Sequence, residues 1–243
     1  MAETKANNSE KIFLEGPQSR WREFVFIVKA LFEFFKGFRK FHFLGPCATV
    51  FGSARFKEGH PYYEAARKIG GDLAKLGFTV MTGGGPGIME AANRGAKEEG
   101  GRSVGCNIVL PMEQKHNPYL DKWVNINYFF VRKVLLSKYS YAFIVLPGGY
   151  GTLDEFFEAI TLIQTGKVKK FPVVLYGKEY HEKLFEHLQR MVLEGTISEQ
   201  DLKLFLFTDT TDEIPVFLEE YAVKQFKLNR KKIPFPIGIL GEK

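Results

Sequence analysis

Cysteine is nearly absent from this chain: Cys47 and Cys106 are the only two among 243 residues. Two thiols so far apart in sequence make neither a disulfide framework nor a zinc site, so a reducing compartment, the cytoplasm, is the expected location. The five histidines, His42, His60, His116, His181 and His187, show no metal-ligand spacing, and no metal is expected. Long apolar runs are missing as well. The first dozen residues are polar and the apolar stretch after them is broken by Lys29, Glu33 and Lys36, so neither a secretory signal nor a spanning helix is expected. Charge of one sign is not concentrated: 34 Lys and Arg against 28 Asp and Glu leave a net +6, and cations cluster only at Arg39-Lys40, residues 167–170 and residues 229–232. Nucleic-acid binding calls for a denser basic patch, whereas a small anionic ligand accounts for this bias equally well. Three catalytic signatures are also missing. There is no GxxxxGK[ST] loop, no GxSxG elbow around Ser53 or Ser137, and no glycine spacing of the dinucleotide type.

What the chain has is size, phenylalanine and glycine turns. Its length buries a full core and fits one large α/β domain with additions. Phenylalanine occurs 24 times, more than a soluble chain of ordinary composition carries, which points to a thick core or an oligomer interface. Residues 1–18 read as a disordered tail and residues 19–44 as an N-terminal amphipathic helix. In that helix Phe24, Ile27, Val28, Leu31, Phe34, Phe35 and Phe38 form the apolar stripe, with Arg22, Lys29, Lys36, Arg39 and Lys40 largely off it. Such a stripe docks a helix on its domain or on a second copy. Lying on a membrane surface is the other use of aromatics opposite cations.

Residues 45–226 alternate strand-like and helical patterns, ending in a short strand at 204–208 and a helix at 213–226. Alternation requires crossover connections, hence a Rossmann-like, doubly wound, mostly parallel sheet with helices on both faces. Residues 142–146 are apolar at every position, as a strand covered on both faces should be. Residues 227–243, with Pro234 and Pro236, read as an extended C-terminal tail.

Glycine turns follow three of the strands. They are Gly52-Ser53-Ala54-Arg55, then Gly83-Gly84-Gly85-Pro86-Gly87, then the PGGYGTLDE stretch at residues 147–155. A strand, a glycine turn and a helix start make an anion site, because bare N–H groups converge there with the positive end of the helix dipole. All three turns belong to the carboxyl edge of the sheet, where open α/β folds bind ligands. Gly84, Gly85, Gly87, Gly148, Gly149, Tyr150 and Gly151 are thus candidates to hold a phosphate, with Ser53 as a donor and Arg55 over the site.

Five acidic and basic positions carry the candidate chemistry. Thr152 and Glu155 have the spacing of a capping box, so their side chains either cap the helix start or face the ligand. In the second case Glu155 serves as an acid, a base or a ribose-binding carboxylate. Asp154, roughly 100° further round the helix, cannot point at the same atom. Arg132-Lys133 opens a helix, where cations oppose the dipole and therefore ask for an anion. Glu90 either stabilises the first turn of its own helix or contacts the ligand.

These motifs together, GSAR at 52–55, GGGPGIMEAAN at 83–93, YFFVRK at 128–133 and PGGYGTLDE at 147–155, resemble the LOG family of cytokinin riboside 5′-monophosphate phosphoribohydrolases. Many members of that family carry the label lysine decarboxylase. The resemblance spans residues 21–226, with the WREF and EFFKGF pieces of the first helix similar to the longer bacterial form. It implies a Rossmann-like fold, a dimer or larger homo-oligomer, and hydrolysis of the N-glycosidic bond of a nucleoside 5′-monophosphate to free base and ribose 5-phosphate. Arg132 and Glu155 match its catalytic pair. Lys133, residues 148–154, Glu113 and Thr161 match its substrate contacts. No cofactor is implied, and no signature of a pyridoxal phosphate lysine is visible. Neither nucleic acid nor a membrane is an expected partner. A nucleotide or phosphorylated-cofactor carrier is the alternative from another class.

Overall fold

The computed structural model describes residues 9–110, 115–169 and 171–224. Its strands are β1 (Cys47–Phe51), β2 (Thr79–Thr82), β3 (Ser103–Ile108), β4 (Lys122–Ile126), β5 (Ser140–Val145), β6 (Val173–Tyr176) and β7 (Leu206–Thr208). They form one sheet in the order β4-β3-β2-β1-β5-β6-β7, and every neighbouring pair is parallel. The chain winds outward from β1 to β4, then crosses to the other side of β1 and winds out again from β5 to β7. The direction therefore reverses between β1 and β5, where open α/β sheets leave a crevice at the strand ends.

Helices cover both faces. They are α1 (Ser9–Leu14), α2 (Arg20–Phe41), α3 (Pro61–Lys75), α4 (Ile88–Glu98), α5 (Phe129–Tyr139), α6 (Tyr150–Gln164), α7 (Lys178–Leu193) and α8 (Glu213–Leu218). One core gathers residues of α2, α5, α6 and α7, including Phe41, Leu135, Phe156 and Leu188, against one face of the sheet. The other gathers α3, α4 and α8, including Ile69, Ala92 and Ile214. Burial on both faces explains why β1, β2 and β3 are buried at every position. The expectation of a doubly wound parallel sheet agrees with this architecture.

The N-terminal region departs from expectation. Ser9–Leu14 is helical although it falls inside the stretch read as disordered; residues 1–8 lie outside the described residues. Two contacts hold α1: Phe13 stacks on Phe26 with ring centroids 3.8 Å apart, and the Glu10 carboxylate accepts from the Phe129 N–H at 3.0 Å, supplying an acid to the start of α5. In α2 the buried side is Phe26, Ala30, Gly37 and Phe41, flanked by half-buried Phe34 and Phe38. Phe24, Ile27, Leu31 and Phe35, expected on the docked stripe, are exposed together with Trp21 and Phe32. Gly37 sets the docked side, since a Cβ there would collide with the Leu135 side chain of α5. The Glu33 carboxylate adds to it, accepting from the Asn127 backbone N–H at 3.0 Å and from its Nδ2 at 2.8 Å.

Smaller differences lie at the other end. The strand expected at 204–208 is shorter, Leu206–Thr208, after a 3-10 turn Asp201–Leu204. The helix expected at 213–226 is α-helical to Leu218 and continues as a π-helical stretch, Glu219–Lys224. Residues 225–243, the last two of that expected helix and the expected tail, lie outside the described residues.

Candidate active site

The crevice between β1 and β5 opens into a cavity of about 680 Å³, a size that suits a small-molecule ligand. The loop after β1 lines one side with Gly52, Ser53, Ala54, Arg55 and Phe56, and the loop into α6 lines the other with Gly148, Gly149, Tyr150, Gly151 and Thr152. Arg132, Glu155, Met89 and Tyr180 complete it. Ser53 is the knot between these loops. Its N–H donates to the Pro147 carbonyl and its carbonyl accepts from the Ile88 N–H, each at 3.0 Å, while its Oγ accepts from the Arg55 N–H at 3.1 Å.

Helix α6 begins one turn earlier than the capping-box reading requires. Its N-cap is Gly149, no side chain caps it, and Thr152 and Leu153 already donate to the Gly149 carbonyl. The first-turn N–H groups of a helix have no intrahelical acceptor, so this uncapped start presents bare donors and the positive dipole end to the cavity. Gly148 is required at its position because a Cβ there would strike the buried Thr152 side chain. Thr152 and Glu155 therefore form no capping box; Glu155 lies in the second turn.

Glu155 is only 3% exposed, and burial pushes its carboxyl up to about 7, against the opposing pull of Arg132 and Lys133. Its Oε1 lies 3.6 Å from Arg132 Nη1, and its buried Oε2 has no hydrogen-bond partner among the described residues. Arg132 is anchored in turn. Its Nε donates to the Cys106 carbonyl at 2.9 Å, and its Nη2 fills space that a side chain at Gly83 would take, 2.7 Å from where that Cβ would lie. A guanidinium thus fixed by backbone and glycine keeps one edge for Glu155 and the cavity. Lys133 is committed to carboxylates instead, at 2.7 Å from Asp154 and 2.8 Å from Glu158.

The expected substrate contacts divide accordingly. Ser53, Gly148, Gly149, Tyr150, Gly151 and Thr152 line the cavity with Arg132 and Glu155. Gly84, Gly85 and Gly87 do not, because their turn serves the scaffold. The Gly84 N–H donates to Thr82 Oγ1 at 2.9 Å and its carbonyl accepts from the Asn117 N–H at 2.9 Å. The Gly85 carbonyl accepts from Asn117 Nδ2 at 3.1 Å, and Gly87, at φ +69°, packs against the Ser53 and Ala54 backbone where a side chain has no room. Glu90 accepts from the Tyr63 hydroxyl at 3.3 Å, between α3 and α4. Thr161 is exposed on α6, Asp154 is exposed and paired with Lys133, and Glu113 lies outside the described residues. Met89, Phe51, Phe56 and Tyr180 are cavity residues that the motifs did not bring forward. For Tyr180 a signal existed: it follows Gly177 at the end of β6, on the edge that carries the other turns.

Comparison with known proteins gives this geometry a context. Residues 89–216 match the family model described as possible lysine decarboxylase. The cytokinin riboside 5′-monophosphate phosphoribohydrolase LOG of Oryza sativa subsp. japonica is 30% identical over 174 residues, 70% of this chain and 71% of that protein. The cytokinin riboside 5′-monophosphate phosphoribohydrolase of Rhodococcoides fascians is 32% identical over 154 residues, 62% of this chain and 77% of that one. Among solved structures, a Moco carrier protein from Chlamydomonas reinhardtii superimposes with a TM-score of 0.52 at 26% identity, over 75% of this chain and 98% of that chain. The molybdenum cofactor binding protein of Rippkaea orientalis does so at 0.55 and 20%, over 72% and 96%, a likeness of fold.

Proposed function

Because this chain belongs to the LOG family, that of the possible lysine decarboxylases and the cytokinin riboside 5′-monophosphate phosphoribohydrolases, we propose that it hydrolyses the N-glycosidic bond of a nucleoside 5′-monophosphate. The substrate is adenosine monophosphate or its N6-modified cytokinin form. The observation that carries the reading is the juxtaposition of a buried carboxylate, a backbone-anchored guanidinium and an uncapped helix start around one cavity.

In this reading the 5′-phosphate sits on the bare N–H groups of residues 149–151, and its binding anchors the sugar so that remote binding energy helps at the scissile bond. Departure of the base leaves an oxocarbenium-like ribosyl group, whose positive charge the Glu155 carboxylate stabilises. Glu155 then takes a proton from the attacking water as its oxygen bonds to the anomeric carbon, and that proton passes on, directly or through solvent, to the ring nitrogen of the departed base. The pairing of Arg132 with Glu155 supports a role at the reacting end rather than the phosphate end, where it holds that carboxylate in place and steadies the leaving base. With the Glu155 carboxyl pushed up to about 7, kcat/KM should fall as pH drops below that value.

Purified protein assayed against a panel of nucleoside 5′-monophosphates and the matching nucleosides, with released base read by chromatography, tests the proposal. We expect base from the monophosphates only, and a loss of roughly 100-fold or more in kcat for Glu155→Gln with nucleotide affinity retained. Tight nucleotide binding without release of any base would overturn the enzyme reading in favour of a carrier, the role named for the Chlamydomonas protein. A homo-oligomer, as the resemblance implies, is part of the proposal.

A further inference from the structure

Two consecutive glycines, Gly148 and Gly149, carry the turn that opens α6, and glycine backbones swing readily between conformations. Something outside the turn must hold them. The Tyr180 hydroxyl, from the first turn of α7, donates to the Gly148 carbonyl at 3.0 Å across 32 residues of sequence, and Tyr180 itself lines the cavity.

The tyrosine, half exposed, has two ring neighbours. Its ring meets Tyr62 edge-on at 6.4 Å and His181 edge-on at 4.9 Å. The start of α7 is pressed against the same loop, because Gly177, at φ +100°, has Pro147 Cγ 2.9 Å from where its Cβ would lie. In a trans peptide the C=O and N–H point in opposite directions. A bond that fixes the Gly148 carbonyl therefore also fixes the direction of the Gly149 N–H, one of the donors at the uncapped helix start.

We propose that Tyr180 is the positioning residue for the phosphate end of this cavity: it aims the 148–149 peptide and so sets the preference for phosphorylated ligands. The inference deepens the phosphoribohydrolase reading and rests on it for its kinetic consequence. Its binding consequence needs only that the cavity take a phosphate.

Tyr180→Phe keeps the ring and removes only the hydroxyl. Loss of one neutral hydrogen bond should raise KM for a nucleoside 5′-monophosphate about three- to tenfold and leave kcat within about twofold. Titration calorimetry with inorganic phosphate and with ribose 5-phosphate should show affinity weakened by a similar factor. Unchanged phosphate affinity in the variant overturns the proposal, as does a fall in kcat with KM unmoved, or a parent protein that binds neither ligand. Weakened binding in the variant of a protein that releases no base would remove the hydrolase reading while leaving the role of Tyr180 intact. A Tyr180→Trp variant, retaining an aromatic ring without the hydroxyl position, should bind phosphate no better than Tyr180→Phe; affinity at the parent level would overturn the proposal too.

Discussion

Glu155 sits where its charge is least welcome. Its carboxyl is raised from 4.5 to about 7 by burial, so between those values the folded protein holds a proton that the unfolded chain has released. Linkage then requires stability to fall as pH rises through this window, by about 3 kcal/mol in total. Glu155→Gln removes the ionisation while keeping the shape. We expect its melting temperature to match the parent near pH 4.5 and to exceed it increasingly towards pH 8, alongside the loss of turnover. Scanning calorimetry at a series of pH values checks this, and a difference independent of pH would contradict it. Arg132 and Glu155 were both legible in the sequence, since a cation pair and an acid beside glycine turns are chemically unusual. The roles of Gly84, Gly85 and Gly87 were not. A glycine that frees an N–H for phosphate and a glycine that lets Asn117 or Ser53 approach look alike until the partner is known.

At the scale of elements, glycine fixes how α3 and α4 cross. A Cβ on Gly70 would enter the Ala92 backbone, and a Cβ on Gly95 would enter the Arg67 backbone, so each helix presses its neighbour without a side chain between them. Backbone cannot move aside as a side-chain end can. Gly95→Ala should therefore destabilise the fold by about 3 kcal/mol or more, although alanine is the better helix former, as measured by chemical denaturation. A stability change within about 0.5 kcal/mol would refute the close-crossing argument. The helices and strands themselves were readable, because a parallel sheet covered on both sides leaves apolar runs between helical periods. Three elements were not, the first being α1, which lies in the stretch read as a disordered tail. The start of α6 was displaced because a threonine and a glutamate at capping-box spacing mimic a helix start that glycine provides one turn earlier. The docked side of α2 was misassigned because that helix is apolar on two sides, and periodicity cannot choose between them.

The molecule as a whole places its two kinds of feature on separate surfaces. The reversal of strand order puts the cavity at the carboxyl edge, between β1 and β5, whereas α2 lies across α5 and β4 with an apolar surface left outward. Trp21, Phe24, Ile27, Leu31, Phe32 and Phe35 make that surface, and α5, the helix that carries Arg132 and packs against α2, exposes Phe129, Phe130 and Val134 as well. Six large apolar side chains exposed on one helix mark an interaction site. On the homo-oligomer proposed above, the expected occupant is a second copy of the chain. Replacing both Leu31 and Phe35 by Glu puts two charges on this exposed face without touching the docked side of α2. The parent protein should run as a dimer or larger assembly by light scattering, and the double variant should shift towards monomer with its melting temperature little changed. A monomeric parent at micromolar concentration would remove the second copy as occupant. Binding of that monomer to anionic vesicles, abolished in the double variant, would assign the surface to a membrane instead. If the assembly holds, the shift to monomer should be read against the base-release assay: Arg132 sits at the end of the first turn of α5, so loosening the α5 contact should lower turnover, while the cavity between β1 and β5 stays formed.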